Sequence, residues 1–194
     1  MSTLDEAFAA ARACTHCAPN LPLGPRPVLR GTERSRLLIV SQAPGTKVHM
    51  TGISFNDRSG DRLRDWLGID RNTFYDEARI AIMPMGLCYP GRNPKGGDMP
   101  PRTECAPLWH ARIRPMFAHV ELTLLIGSYA VNHYLKDRRK KTLSDTIAAW
   151  REYTLDVIPL PHPSWRNTGW IKAHPWFEED LVPALRARVK ALLR

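Results

Sequence analysis

Four short apolar segments limit the folds that this 194-residue chain can adopt. Each is rich in leucine, isoleucine or valine and too short for a typical helix, and they lie at residues 36–41, 79–84, 122–127 and 155–160. Predicted helices occur between or after them, at residues 59–67, 105–117, 129–135 and 143–153. Because strands that alternate with helices form βαβ units, we predict an α/β fold: a three-layer α/β/α sandwich around a short, mainly parallel four-stranded sheet.

The other segments fit one domain. We predict helices at residues 4–13 and 176–193, the second interrupted near Pro183, and a loop at residues 46–57. Residues 89–104 contain four prolines and three glycines, so no regular element is expected there. A loop of this length is usually functional or tied by a metal. With 43% hydrophobic residues and no visible boundary, residues 1–194 are expected to form a single domain with its own core.

Charge and cysteine usage narrow the partners and the compartment. The formal net charge of +9 and the pI near 9.8 suggest a polyanionic partner, most often a nucleic acid. No apolar run approaches the roughly 20 residues of a membrane span. The N-terminus has neither a positively charged leader nor an apolar signal core, so we expect a cytoplasmic protein. In that compartment the four cysteines are expected to be metal ligands or free thiols rather than disulfides.

A histidine between two prolines is the strongest catalytic candidate. Pro161 and Pro163 fix the backbone on both sides of His162, directly after the fourth apolar segment. Ligands of parallel sheets bind beyond the carboxyl ends of the strands. We therefore expect one site where four strand ends converge, at residues 42–45, 84–88, 127–128 and 162–167.

The four cysteines form a second candidate site. Cys14 and Cys17 are two residues apart, so both thiolates can reach one metal from a single turn. Cys88 and Cys105 flank the irregular loop. Four thiolates in this pattern suit a [4Fe–4S] cluster or a structural zinc ion, and the residues alone do not separate the two. Buried thiols without a metal are the third interpretation.

Motifs spread along the chain resemble the uracil-DNA glycosylase superfamily, and most of all its iron–sulfur members. They are CTHC at 14–17, SQAPG at 41–45, GISF at 52–55, SG at 59–60, CYP at 88–90 with Arg92 and Pro94, EC at 104–105, LIG at 125–127 with Ala130, and HPS at 162–164. Each motif alone is weak, but their common order and the four cysteines in register form a specific signal. The resemblance implies a [4Fe–4S] cluster and hydrolysis of the N-glycosidic bond of a damaged base in base-excision repair, without strand cleavage.

The resemblance also implies catalytic roles. Phe55 matches the ring that stacks on a flipped base, an interaction worth roughly 1–3 kcal/mol, and the alternative is a phenylalanine of the core. His162 matches the donor that stabilises negative charge on the leaving base. Gln42 occupies the place of the water-orienting group; because an amide cannot take a proton from water, we expect a slower rate on uracil. Asp57, the nearest ionisable group, is our hypothesis for stabilising the cationic sugar or accepting a proton.

Base recognition departs from the pattern of the iron–sulfur relatives. Pro84 stands where they carry an asparagine that reads the base, and proline has neither a side-chain donor nor a backbone N–H. Backbone groups of Met85 and Gly86 are the expected substitute. Uracil, another deaminated base, a bulky base and relaxed specificity all remain open as substrates. The other residues that match the base-binding part of the pattern are Pro44, Gly45 and Ser164.

DNA contacts are expected at the edge of this site. Arg166 and Asn167 follow His162 where the family has its helix-wedging loop, and Trp165 either fills the gap left by a flipped base or packs in the interior. Arg92 and Lys95 are candidates for phosphate contact. The basic run at residues 136–141 is either a further phosphate contact or a solvated surface turn.

We therefore predict a monomeric, monofunctional DNA glycosylase that acts on DNA containing a damaged base. Two other classes of function remain open. One is a catalytically silent module of the same fold that binds DNA or a modified base. The other is a metal-stabilised protein-interaction domain whose basic charge only aids solubility.

Overall fold

A computed structural model describes residues 3–153 and 156–194. Its four strands form one sheet in the order β2-β1-β3-β4, and every pair is parallel. The strands are β1 (Leu37–Val40), β2 (Ile80–Ile82), β3 (Leu122–Ile126) and β4 (Val157–Leu160). The predicted α/β class with a four-stranded parallel sheet is confirmed. Leu155, expected to begin the fourth strand, lies outside the described residues.

Helices cover both faces of this sheet. The α-helices within the described residues are α1 (Leu4–Arg12), α2 (Thr46–Thr51), α3 (Arg58–Leu67), α4 (Arg71–Phe74), α5 (Cys105–Ile113), α6 (Gly127–Leu135), α7 (Leu143–Ala148), α8 (Thr168–Ala173) and α9 (Val182–Leu192). Because successive strand residues point to opposite faces, Leu37 and Ile39 pack with α3, α8 and α9, while Leu38 and Val40 pack with α1, α5 and α6. The result is the expected three-layer sandwich with one hydrophobic core on each side.

Some local expectations need correction. The segment 46–57, predicted as a loop, begins with α2, which ends at Gly52 with φ +72°. The C-terminal helix is not interrupted at Pro183: a π-helical stretch, Phe177–Leu181, runs directly into α9. Pro183 lies in the first turn of α9, directly after the π-helical stretch.

Two features of the connections matter for the site. Asp57 caps the N-terminus of α3, and Gly68 ends that helix in the left-handed conformation. The segment 89–104 contains no helix or strand, and one isolated antiparallel bridge joins Arg92 to Asp98. Within residues 3–153 and 156–194, no helix has the length and apolar character required to cross a bilayer.

Candidate active site

A cavity of about 380 Å³ opens at the carboxyl edge of the sheet. Gln42 follows β1, Pro84 follows β2 and His162 follows β4, and all three line the cavity. Gly127, just after β3, supports the histidine from behind: its φ is +80°, and a Cβ on it would lie 3.8 Å from the Cβ of His162. The four strand ends therefore meet at one place, as expected for a parallel sheet.

Phe55 lines the cavity from a strained loop, and its side chain is buried in the core beside α3. Its φ is +55°, a region that costs a bulky residue on the order of 1–3 kcal/mol. The Phe55 carbonyl accepts a hydrogen bond from Arg64 Nη1 at 3.4 Å, and its ring lies edge-on to Phe74 with centroids 6.0 Å apart. Gly60 makes this loop possible, because a Cβ there would lie 1.7 Å from the Phe55 oxygen. The aromatic wall is thus fixed before any ligand binds.

His162 is held by neighbours on two sides. Asn167 Nδ2 donates to the His162 carbonyl at 2.7 Å. From α3, Arg62 Nη1 donates to the Ser164 carbonyl at 3.0 Å, a support that sequence reasoning missed. Burial lowers the pKa of His162, and the negative charge of Asp57 opposes this in part. The imidazole is therefore neutral near pH 7 and carries one N–H donor.

Gln42 and Asp57 also line the cavity, and their backbones are fixed in different ways. The Gln42 carbonyl accepts a hydrogen bond from the N–H of Gly86 at 3.0 Å, while its half-buried amide side chain borders the cavity. Asp57 Oδ1 accepts from the N–H of Gly60 at 2.9 Å as the cap of α3. The carboxylate of Asp57 therefore adds a fixed negative charge to the cavity wall.

Met85 and Gly86 do not occupy the base-reading position expected of them. The Met85 N–H donates to the carbonyl of Ser41 at 2.8 Å, and the Gly86 N–H donates to that of Gln42. The Met85 side chain is buried in the core beneath α1, α5 and α6, and Gly86 borders the cysteine pocket. Both N–H donors are used to attach the loop after β2 to the end of β1, so they are not directed at a base.

Pro84 instead provides an apolar part of the wall. Its carbonyl accepts a hydrogen bond from His110 Nε2 at 3.0 Å, and His110 Nδ1 lies 2.8 Å from the hydroxyl of Tyr134. Burial lowers the pKa of His110 to about 4, so the ring is neutral at pH 7. Since a carbonyl only accepts, the proton is on Nε2 and the Tyr134 hydroxyl donates to Nδ1. Both the N and the O of Pro84 are thus removed from base recognition.

Asp98 is a cavity residue that the sequence analysis did not single out. It belongs to a closed turn in the 89–104 loop, where the Asn93 N–H donates to the Gly97 carbonyl at 2.8 Å and the Met99 N–H to the Gly91 carbonyl at 2.8 Å. The signal was present: two consecutive glycines followed by an acid are typical of a tight turn that directs a polar side chain.

Three charged side chains affect the pKa of Asp98, namely Arg166, Arg92 and Asp57. A Cβ on Gly45 would lie 3.4 Å from Asp98 Oδ2, so the carboxylate packs against the SQAPG segment. Partial burial raises the pKa of Asp98, Arg166 and Arg92 oppose this rise, and Asp57 adds to it. The cavity therefore has two carboxylates, a neutral imidazole and a guanidinium on its wall.

The predicted DNA-contact residues separate into different positions. Trp165 is 72% exposed, so the interior-packing alternative is excluded, and the Arg166 guanidinium lies 5.6 Å from its ring centroid. Arg166 lines the cavity and packs on Gly97, whereas Arg92 and Lys95 are exposed on the loop outside the lining.

The basic run at residues 136–141 lies at the other end of the sheet. α6 starts where β3 ends and runs back along it, as a crossover helix does. The Lys140 ammonium pairs with Glu152, and the Tyr153 hydroxyl donates to the Arg138 carbonyl at 3.3 Å, both shortly before β4 begins. This run is therefore remote from the cavity, and the structure favours the surface-turn interpretation.

The four cysteines converge beside the cavity. They line one small pocket together with Gly86, Leu87, Arg102 and Trp109, and they are Cys14, Cys17, Cys88 and Cys105. No disulfide joins them in the described part of the chain. The Leu87 N–H donates to the sulfur of Cys105 at 3.3 Å, and N–H···S bonds of this kind are found around thiolate ligands.

Burial and mutual proximity change the acidity of these thiols. The pKa of Cys17 is raised, that of Cys88 is raised to about 11 and that of Cys105 to about 12, in each case mainly by burial. A positive group would be needed to hold them as thiolates together. As the cysteines are placed, no three His, Cys, Asp or Glu side chains among residues 3–153 and 156–194 have the spacing of a metal-ion site. The thiol chemistry fits a metal centre, while its occupant stays a proposal.

Comparison with known families agrees with this geometry. The model of the Uracil DNA glycosylase superfamily matches residues 30–186, which is more than half of the chain. The chain therefore belongs to the uracil DNA glycosylase superfamily. Membership supports a DNA-glycosylase type of function in repair, which the cavity at the strand ends would serve. Cys14 and Cys17 precede the matched residues.

Proposed function

We propose that this protein is a monofunctional DNA glycosylase that hydrolyses the N-glycosidic bond of uracil or another damaged base in base-excision repair. The observation that carries the proposal is the shared cavity of Phe55 and His162. An aromatic residue and a neutral N–H donor in one cavity are what a flipped base with a carbonyl oxygen requires.

The first step is departure of the base. The bond between the sugar C1′ and the base nitrogen breaks, and its electron pair leaves with the base as an anion. Phe55, which is fixed on Gly60 and Phe74, stacks on the base. The N–H of His162 donates to the base oxygen where negative charge develops, and its neutral state avoids the cost of burying a cation.

The second step is capture of the sugar cation by water. The Gln42 amide can orient that water through hydrogen bonds. Asp57, held as the cap of α3, stabilises the positive sugar through its fixed charge. Because Pro84 presents no free donor or acceptor, shape and stacking contribute more than hydrogen bonds to the choice of base at this wall, which favours a broad range of bases over uracil alone.

DNA would approach across the cavity mouth. Trp165 is exposed next to Arg166, which suits filling the gap in the stack while the cation contacts a phosphate. Arg92 and Lys95 extend this basic edge along the loop. Asn167 acts through His162, whose carbonyl it holds, rather than by contacting DNA itself.

The cysteine pocket would hold a [4Fe–4S] cluster, with a structural zinc ion as the alternative. Such a group would neutralise the thiolates and tie the N-terminal segment to both ends of the 89–104 loop. Its ligands would be Cys14, Cys17, Cys88 and Cys105. Visible absorbance and iron and sulfide analysis of the purified protein distinguish the two, because zinc is colourless.

The test of the activity is base release from a panel of duplex and single-stranded oligonucleotides containing uracil, hypoxanthine, xanthine or a bulky pyrimidine. We expect abasic sites without strand cleavage, and a loss of 10²- to 10³-fold in single-turnover rate for His162→Ala. His119→Ala, an exposed position outside the cavity, is the matched control. Salt-dependent DNA binding without base release on any substrate would instead establish a silent module, and absence of both would favour a protein-interaction domain.

We further propose a monomer of one domain that works in the cytoplasm. Light scattering after gel filtration measures the mass in solution, and a value twice that of the 22.0 kDa chain would contradict the monomer.

A further inference from the structure

The proposed reaction needs an acceptor for the proton of the attacking water. Gln42 cannot accept a proton, and Asp57 has one of its two oxygens, Oδ1, bound to the N–H of Gly60 as the cap of α3. An additional carboxylate on the wall of the same cavity would supply this function. Asp98 is the candidate.

We infer that Asp98, delivered by the 89–104 loop, is the general base of the proposed glycosylase reaction. This inference rests on the proposed function. As the C1′–N bond breaks and the electron pair leaves with the base, the oxygen of water bonds to C1′, and the water proton moves to a carboxylate oxygen of Asp98. Atoms and charge balance, because the base departs as an anion and Asp98 becomes neutral.

The position of Asp98 supports this role. Its Oδ2 packs against Gly45, three residues after Gln42, so the amide that orients water and the carboxylate that accepts its proton lie on neighbouring parts of the wall. Within residues 3–153 and 156–194, the Asp98 carboxylate takes part in no hydrogen bond or ion pair, which leaves both oxygens for water.

The turn that carries Asp98 is fixed through its backbone. Backbone hydrogen bonds from Asn93 to Gly97 and from Met99 to Gly91 close the turn on either side of Asp98. Across the cavity mouth, Gly97 packs against the Arg166 guanidinium: a Cβ on Gly97 would lie 3.1 Å from Arg166 Nη1. A bulky residue at 97 would therefore move the turn. This precision is expected for a group that must reach a reacting water.

The electrostatic setting makes Asp98 a stronger base. Partial burial and Asp57 raise the pKa of Asp98, which makes its carboxylate a better proton acceptor than a solvated one. Arg166 and Arg92 act in the opposite direction on this pKa. His162 and Asp57 are the other titratable groups on the cavity wall.

The experiment compares four proteins on the best substrate of the panel: wild type, Asp98→Asn, His162→Ala and Asp137→Asn, the last an exposed control outside the cavity. Asp98→Asn keeps the shape of the side chain and is expected to slow single-turnover base release roughly 100-fold without weakening DNA binding. The wild-type rate is expected to fall on the acid side as Asp98 is protonated, and this limb should disappear in Asp98→Asn.

Chemical rescue separates a base from a structural support. In Asp98→Ala, added formate is expected to increase the rate of base release at least tenfold. The rates of Asp137→Asn and His162→Ala should not respond to formate. If the wild type is active and Asp98→Asn releases base at the same rate with an unchanged acid limb, the role of Asp98 is overturned. The proposed function would stand in that case. A wild type that releases no base from any substrate would overturn the proposed function, and the role of Asp98 with it.

Discussion

The cavity and the cysteine pocket lie next to each other and differ in size and in polarity. The cavity is open and lined by polar and apolar groups in similar measure, and the backbone around its polar side chains is already hydrogen-bonded. The cysteine pocket is small and mostly apolar, and burial raises the pKa of three of its thiols. The cavity can therefore act on a ligand that binds and dissociates, whereas the cysteine pocket favours a group that stays bound.

Two chain segments connect the cavity with the cysteine pocket. After β2, Pro84 lines the cavity and Gly86 borders the cysteine pocket two residues later. The 89–104 loop leaves the pocket after Cys88, passes through the cavity at Asp98 and returns to the pocket at Cys105. The cysteine pocket thus anchors both ends of the loop that contributes to the cavity.

The largest effect is expected from removing a cysteine. Cys105→Ser should lose the visible absorbance of the proposed cluster and lower the free energy of unfolding by roughly 5 kcal/mol, about half of what a structural thiolate–metal site supplies. Trypsin cleavage after Lys95 should accelerate at least tenfold more than cleavage in the remote 136–141 run, which depends on global unfolding alone. Equal cleavage rates at Lys95 in the two proteins would show that the pocket does not anchor the loop.

The next largest effect tests the rigidity of the cavity wall. Gly60→Ala places a Cβ 1.7 Å from the Phe55 oxygen, so the strained loop must move, at a cost of about 3 kcal/mol in unfolding free energy. Gly169→Ala is the matched control, because nothing lies within 4 Å of its Cβ and its φ is not positive. Urea denaturation measures both. If the two variants were equally stable, the wall would be more adaptable than the comparison assumes.

A pH-dependent effect probes the boundary between the regions, where His110 holds Pro84. His110 has a native pKa of about 4 and an ordinary value of 6.5, so between these values the unfolded chain binds a proton that the folded one does not. Its contribution is complete above pH 6.5 and declines as pH falls towards 4. From pH 6.5 to about pH 5 the loss is about 2 kcal/mol.

Denaturant unfolding at several pH values measures this loss. In His110→Gln, the number of protons taken up on unfolding should fall by about one. In His119→Gln, at an exposed position, this number should be unchanged. The other histidines with lowered pKa values, His133 and His162, contribute equally to both variants. An identical pH dependence in the two would mean that His110 is protonated in the folded protein.

The smallest effect concerns the outer edge of the cavity. Arg166→Gln should reduce the slope of log K against log salt for DNA binding by roughly 1, because one phosphate contact is lost. Lys141→Gln, in the basic run at the other end of the sheet, should leave the slope unchanged. Titrations at several salt concentrations measure both. A reduced slope for Lys141→Gln alone would place DNA on the wrong side of the molecule.

Much of this arrangement could be predicted from local pattern. The apolar runs indicated the strands, and parallel strands bring their carboxyl ends together, so Gln42, Pro84 and His162 were expected to meet. The spacing of the cysteines indicated a second site, motif resemblance added Phe55, and Asp57 was proposed as the nearest ionisable group. Trp165 had two equal interpretations, and its exposure of 72% decided between them.

Other features depended on which loops pack together, which no local pattern encodes. From the sequence, the backbone groups of Met85 and Gly86 were expected to read the base. In the structure their N–H groups are used in hydrogen bonds between the loop after β2 and the end of β1. Likewise, the distance in sequence between Asp98 and Gly45 gave no sign that the two are in contact.

The sequence by itself determined the fold class, the meeting of the strand ends and the imidazole between two prolines, because strand periodicity and proline geometry act over a few residues. Only the tertiary structure decided that Asp98 enters the cavity, that His110 fixes the Pro84 carbonyl and that the basic run at 136–141 lies elsewhere. The reason is physical: hydrogen-bond partners and the electrostatic surroundings of a charge are set by segments distant in sequence, and these become neighbours only when the chain folds.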